Sequence, residues 1–183
     1  MASDVERLAR AAAFAAEKHT GQLRKGEAGE PYVNHVIEVA EMLARACGGR
    51  DIELVIGGLL HDTIEDTGAT HAEVAAIFGP GVADLVAEVT DDKSLPKAER
   101  KRLQALHAPH KSPRAKQLKL ADKTSNLRAL ASSPPAEWPL SRQLEYVAWA
   151  RSVAAGLRGA NAWLEEQFDQ AATAAEQAIA GRR

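Results

Sequence analysis

The chain has 183 residues and a mass of 19.6 kDa, with 45% hydrophobic and 26% charged residues, a balance that suits one folded domain over 1–183 and excludes a disordered segment. Thirty-seven residues are Ala and eight are aromatic, a bias toward closely packed helices and away from a base-stacking platform. The net charge of −2 argues against a nucleic-acid coat or a membrane-surface binder, and Cys47 as the single cysteine fits a reducing, cytoplasmic setting.

Ser3-Asp4-Val5-Glu6 reads as a capping box opening a helix with Val5, Leu8, Ala9, Ala12 and Ala16 at helical spacing. With Asp4 and Glu6 and no apolar core, this start is not expected to act as a signal peptide. Three glycines and a proline in residues 20–31 mark a loop able to close as a small hairpin. A helix from about Asn34 to Cys47 follows, stopped by Gly48-Gly49. Asp51 can cap the next, in which Ile52, Leu54, Val55, Ile56, Leu59, Leu60 and Ile64 are apolar nearly all round, the pattern of a helix buried from several sides.

Thr70 with Glu73 forms a second capping box, and Gly79-Pro80-Gly81 separates its short helix from one over about Val82 to Val89. Pro96 suits the first turn of a helix through Leu106, and Ser112-Pro113 opens another that runs to about Leu130. Ser132-Ser133-Pro134-Pro135 breaks the chain. Helices over about Ser141 to Leu157 and from beyond Gly159 to near Ala180 complete an all-α reading of about eight to nine helices. The alanine-rich face of the last could pack within the chain or between chains, so the oligomeric state stays open.

Charge is sorted along the chain. Residues 51–92 hold ten carboxylates and no Lys or Arg, whereas residues 93–128 hold eleven basic residues and two acids, Glu99 and Asp122. Such blocks read either as two solvated faces or as a carboxylate-rich metal site beside a basic wall for a polyanion.

The most informative segment is His61-Asp62-Thr63-Ile64-Glu65-Asp66, at the end of the most apolar helix. If that helix persists, all four ionisable groups fall within an arc of about 140°. Carboxylates entering an apolar helix need a partner, because desolvating each costs several kcal/mol, and a divalent ion serves. Imidazole nitrogen with carboxylate oxygen suits Mn, Fe or Zn. The other reading is a polar helix end facing water. His35, at a helix start, reads on its own as a capping or surface residue. Asp122 points near a packed face with Asn126 four residues on, and either a metal or Lys119 could partner it. His71, His107 and His110 read as surface residues.

Taken together, these segments resemble a family. Arg24-Lys25, Pro31-Tyr32-x-x-His35, His61-Asp62-x-x-Glu65-Asp66, Glu88-Val89-Thr90-Asp91-Asp92 and Lys119-Leu120-Ala121-Asp122-Lys123-x-x-Asn126-Leu127 stand in an order similar to that of the HD-domain hydrolases of the alarmone (p)ppGpp. Within them the chain is most similar to the stand-alone small alarmone hydrolases, the Mesh1-like branch. Leu95-Pro96-Lys97, Glu99-Arg100-Lys101-Arg102 and Arg142-x-x-Glu145-Tyr146 extend the likeness over about residues 4–178.

The resemblance implies an all-α HD fold with one Mn²⁺ held by His35, His61, Asp62 and Asp122. It implies Glu65 and Asp66 as catalytic carboxylates removing pyrophosphate from the ribose 3′ position of ppGpp or pppGpp, to give GDP or GTP. Arg24 and Lys25 are then expected on substrate phosphate and Asn126 on ribose or base, with Lys97, Arg142 and Tyr146 as further substrate contacts. A chain ending at Arg183 is expected to be hydrolase only, with no synthetase domain. Thr124-Ser125 departs from the bulkier pairs common at that place, which bears on the fit around the nucleoside. Two alternatives stand beside this: a metal-dependent phosphatase of another phosphorylated nucleotide such as NADPH, and a non-catalytic alarmone-binding protein, which would be expected to lack Glu65, Asp66 or a ligand.

Overall fold

The computed structural model describes residues 2–182. Its helices are α1 (Asp4–Lys18), α2 (Val33–Ala46), α3 (Ile52–Leu60), α4 (Thr63–Asp66), α5 (His71–Phe78), α6 (Pro80–Val89), α7 (Lys97–His107), α8 (Pro113–Ser132), α9 (Leu140–Ala155) and α10 (Ala162–Ala180), with one 3₁₀ turn at Ala108–His110. No strand occurs among the described residues. In place of a regular hairpin, the 20–33 loop closes with two backbone bonds: Arg24 N–H donates to Glu30 and Tyr32 N–H to Gln22, both at 2.8 Å. Among the described residues no helix is long and apolar enough to cross a membrane.

The caps lie where the sequence puts them. Ser3 accepts from Glu6 N–H at 3.2 Å, Asp51 from Leu54 at 3.1 Å, Thr70 from Glu73 at 3.1 Å and Ser112 from Ala115 at 3.2 Å, each satisfying an amide that the first helical turn leaves open.

The packing falls into two compact units, an internal division that chain length, which sets only a total, does not foresee. The first runs through Gln22 and resumes from Pro31 to Leu95, and the second takes Leu23–Glu30 and the chain from Pro96 on. In the first, α3 packs against α1, α2 and α6, so Leu54 to Leu60 are all buried. The core around it draws on Ala11, Val36, Ile56, Leu60, Phe78 and Val86. A Cβ at Gly58 would stand 2.7 Å from Leu43 Cδ1 and 3.1 Å from Ala40 Cα. Glycine is what lets α3 press this closely on α2.

In the second unit α8 packs along α10 and touches α9. The alanine face of α10 is spent on this unit: Ala171, Ala172 and Ala175 are buried with Leu164, Phe168 and Ile179. Residues 118–125 of α8 are buried without interruption, Lys119, Asp122 and Lys123 among them. Leu23–Glu30 is pinned to the end of α8, where Ala28 N–H donates to Ser133 Oγ at 2.8 Å and Glu27 N–H to Pro134 at 3.2 Å. A Cβ on Gly26 would meet the Ser133 carbonyl at 2.3 Å, so only glycine permits this seat.

One expectation is corrected. The helix carrying His61, Asp62, Glu65 and Asp66 is not continuous: α3 ends at Leu60, and α4 starts at Thr63. Two side chains take over helix carbonyls at the break. His61 Nδ1 bonds the Gly58 carbonyl at 2.8 Å, and Thr63 Oγ1 donates to Leu60 at 2.7 Å. That division adds one helix to the expected eight to nine.

Candidate metal centre and active site

His35 stands in the first turn of α2, and His61 and Asp62 form the turn between α3 and α4. The close approach of α3 to α2 at Gly58 brings the two imidazole rings to 5.2 Å between centroids. Both histidines are buried, at 1% and 3% exposure, and the Asp62 side chain is 18% exposed. The Gly58 carbonyl can only accept, so His61 Nδ1 carries the proton and donates. Nε2 then presents its lone pair 3.0 Å from Asp62 Oδ2, while His35 Nε2 lies 3.7 Å from the same oxygen. Electron-rich atoms this close repel unless positive charge lies among them. Ligand atoms of all three residues fall within 4.8 Å of one another. Two imidazole nitrogens and a carboxylate oxygen so arranged fit a divalent transition metal.

Around this trio the first unit supplies more order than the sequence showed. The Tyr32 hydroxyl donates to Asp62 Oδ2. Its ring lies 5.3 Å from that of His35 and 5.0 Å from that of His19. Four residues beyond His61, in α4, Glu65 accepts from Asp91 N–H at 3.0 Å, and Asp66 is ion-paired with Lys93. The backbone within the run 88–92 thereby holds the Glu65 carboxylate.

The remaining sequence-predicted residues lie in the second unit. Asp122 is 7% exposed on α8; its Oδ1 accepts from Asn126 Nδ2 at 2.6 Å and its Oδ2 from Lys123 Nζ at 2.9 Å. Lys123 reaches this carboxylate because its long side chain curls back to its neighbour. Arg24 donates to Ser125 Oγ and Asn126 Oδ1, each at 3.2 Å, and to the Ser125 carbonyl at 3.4 Å. The pinned 23–30 loop thus sets a guanidinium against α8, with Lys25 beside it and exposed. The small Ser125 is what accepts one of these bonds.

Lys97 opens α7, and its amine is held below the usual lysine range by burial and by repulsion from Arg142, Lys25 and Arg100. Lys101 is lowered for the same reasons: burial first, then Lys97 and Arg142. Mutually repelling cations of this kind gain from an anion among them. Arg142 lies over the Trp138 ring at 4.4 Å, and the rings of Trp138, Tyr146 and Trp149 follow one another at 5.7 and 5.3 Å. Lys101 and Lys123 lie 4.6 and 4.8 Å over Trp149. Burial, with Asp122 adding and Lys123 and Arg24 opposing, pushes the Tyr146 hydroxyl up to about 12. Tyr146 therefore remains a neutral hydroxyl at any physiological pH. Sequence reasoning missed His19 and Trp138, which lie at no informative spacing, missed Trp149 three residues beyond Tyr146, and passed over Tyr32 and Lys101 inside segments it had quoted.

Comparison with known proteins places these residues in company. The HD domain family matches residues 11–151. The guanosine-3′,5′-bis(diphosphate) 3′-pyrophosphohydrolase MESH1 of Homo sapiens is 52% identical over 166 residues, covering 91% of this chain and 93% of the relative. That of Danio rerio is 52% identical over 157 residues, covering 86% and 87%. A solved structure of a metazoan ortholog of SpoT, described as hydrolysing ppGpp with a role in starvation responses, superposes with a TM-score of 0.87. It shares 46% identity and covers 90% of this chain and 93% of its own.

Proposed function

Because the chain belongs to the HD domain family, in its Mesh1-like branch of (p)ppGpp hydrolases, and is a hydrolase, we propose that it is a Mn²⁺-dependent (p)ppGpp 3′-pyrophosphohydrolase. The observation that carries the reading is the trio His35, His61 and Asp62, with ligand atoms within 4.8 Å and Glu65 and Asp66 following in α4. Proteins about half identical to this chain over most of their length carry guanosine-3′,5′-bis(diphosphate) 3′-pyrophosphohydrolase in their names.

His35, His61 and Asp62 would hold the ion, and Asp122 is proposed as the fourth ligand on the family likeness and on its buried carboxylate. When bound, the ion supplies Lewis acidity toward a phosphate oxygen and toward the attacking water. Glu65, held by the Asp91 amide, takes a proton from water as it adds to the phosphorus attached to the ribose 3′ oxygen. The bond from phosphorus to that oxygen breaks, pyrophosphate departs, and the 3′ oxygen receives a proton. Asp66, paired with Lys93, orients the water or delivers that proton.

Arg24, Lys25, Lys97 and Arg142 are proposed for the two diphosphates of the substrate, Asn126 for ribose or base, and Tyr146 as a neutral hydroxyl toward the nucleoside. The repulsion that lowers Lys97 supports an anion there. The single cysteine, Cys47, is free, which supports a cytoplasmic location. The substrate is tested by measuring kcat/KM for ppGpp, pppGpp and NADPH on the purified protein with Mn²⁺. The reading expects the guanosine alarmones to lead. A higher value for NADPH, with release of orthophosphate, would replace it with a nucleotide 2′-phosphatase.

A further inference from the structure

Two residues near the trio have no part in the reaction as written. Tyr32 precedes α2 and gives its hydroxyl proton to Asp62 Oδ2, the oxygen that also faces both histidine nitrogens. Its ring is set between those of His35 and His19. His19 ends α1, is 3% exposed, and bonds Gln22 Oε1 through Nδ1 at 2.7 Å, while its Nε2 has no hydrogen-bond partner among the described residues. Gln22 in turn receives the backbone N–H of Tyr32 through its carbonyl at 2.8 Å. A phenylalanine or leucine would fill the His19 position with no polar atom left unmatched, so core packing alone does not account for an imidazole there.

We propose that Tyr32 and His19 are positioning residues for the metal centre: the hydroxyl of Tyr32 fixes the Asp62 carboxylate, and the imidazole of His19, itself fixed by Gln22, holds the Tyr32 ring in place. His61 is oriented by the Gly58 carbonyl, and Tyr32 does for the carboxylate what that carbonyl does for the imidazole. A carboxylate with one oxygen already engaged offers its remaining electron pairs in a fixed direction, which lowers the entropy lost when an ion binds. The inference rests on the metal-site reading above and adds two residues to it.

The test is titration of the metal-free full chain with Mn²⁺ alone, following the free-ion signal by electron paramagnetic resonance. Tyr32→Phe keeps the ring and removes only the hydroxyl. It is expected to weaken Mn²⁺ binding by about tenfold, the low end for partners of metal ligands, to alter the bound-ion spectrum, and to leave the melting temperature of the metal-free protein unchanged. His19→Phe should weaken binding in the same direction and by less. Combined with Tyr32→Phe it should add nothing, because it acts through the hydroxyl already removed. Wild-type Mn²⁺ affinity in Tyr32→Phe overturns the inference, and an additive loss in the double variant overturns the part given to His19. His61→Ala separates the two layers. If it binds Mn²⁺ as wild type does, the metal site itself is wrong. If it fails to bind while Tyr32→Phe binds normally, only the positioning role is wrong.

Discussion

At the scale of single residues, the proposed roles separate groups that bind from groups that act. Glu65 accepts from Asp91 N–H, a bond that a glutamine carbonyl reproduces, so Glu65→Gln should keep its place and lose only its basicity. Turnover is expected to fall by at least about 10²-fold, the usual scale for a general base, with Mn²⁺ affinity unchanged. Steady-state rates beside a metal titration check this, and a turnover near wild type removes Glu65 from the role. Lys97 gives a prediction of opposite sign on two axes. Its amine is lowered by burial and by three neighbouring cations, so in the ligand-free protein its charge opposes folding. Because the folded value lies below the ordinary one, the unfolded chain binds more protons between the two, and stability rises with pH across that interval. Lys97→Gln should therefore raise the melting temperature at neutral pH, flatten that rise, and increase KM for the nucleotide. A variant with lower stability and unchanged KM contradicts both the repulsion and the phosphate role.

At the scale of elements, the chain is read well where a local rule decides and poorly where a tertiary contact does. Ser3, Asp51, Thr70 and Ser112 cap the helices that follow them, since a side-chain acceptor three residues ahead of an open amide is a local matter. The all-round apolar character of residues 52–60 likewise foretells a helix buried from several sides. The break after Leu60 is not visible in the sequence, because it depends on His61 and Thr63 returning to the carbonyls of Gly58 and Leu60. Trp138 joins Tyr146 and Trp149, a pair three residues apart on α9, only through the path of the chain into that helix. His19 shows no signal because a lone histidine at a helix end is usually a surface cap. His35 is nominated only through family likeness and Asp122 as a packed carboxylate that a metal or Lys119 could partner, whereas His61 and Asp62 stand out by chemistry alone. Gly58 joins fold and site: Gly58→Ala gains up to about 1 kcal/mol of helix propensity but drives a methyl into Leu43 and Ala40. A net loss of roughly 1–3 kcal/mol is expected from such overpacking, read as a lower urea midpoint together with weaker Mn²⁺ binding, because α2 and α3 carry His35 and His61. A midpoint at or above wild type contradicts the close approach.

At the scale of the whole molecule, the near-neutral net charge hides two specialised populations. The carboxylates of residues 51–92 supply Asp62, Glu65 and Asp66 to the first unit, and the basic residues that follow supply Lys97, Lys101 and Lys123 to the second. Only Lys93, the first of the basic run, belongs to the acidic unit, where it pairs with Asp66. Within the basic block Lys119, Asp122 and Lys123 are buried and so do not lie on a solvated face. The proposed metal site also makes a global prediction. Mn²⁺ at about a hundred times its dissociation constant should stabilise the native chain by about 2.7 kcal/mol, seen as a raised urea midpoint. His61→Ala should show no such rise, and an equal rise in that variant means that the ion binds elsewhere. The most direct test of the central claim is ³¹P nuclear magnetic resonance of ppGpp incubated with the purified chain, with Mn²⁺ or with a chelator. The expected spectrum shows GDP and inorganic pyrophosphate in equal amounts with Mn²⁺ and intact ppGpp with chelator. Intact ppGpp in the presence of Mn²⁺, or release of orthophosphate in place of pyrophosphate, contradicts it.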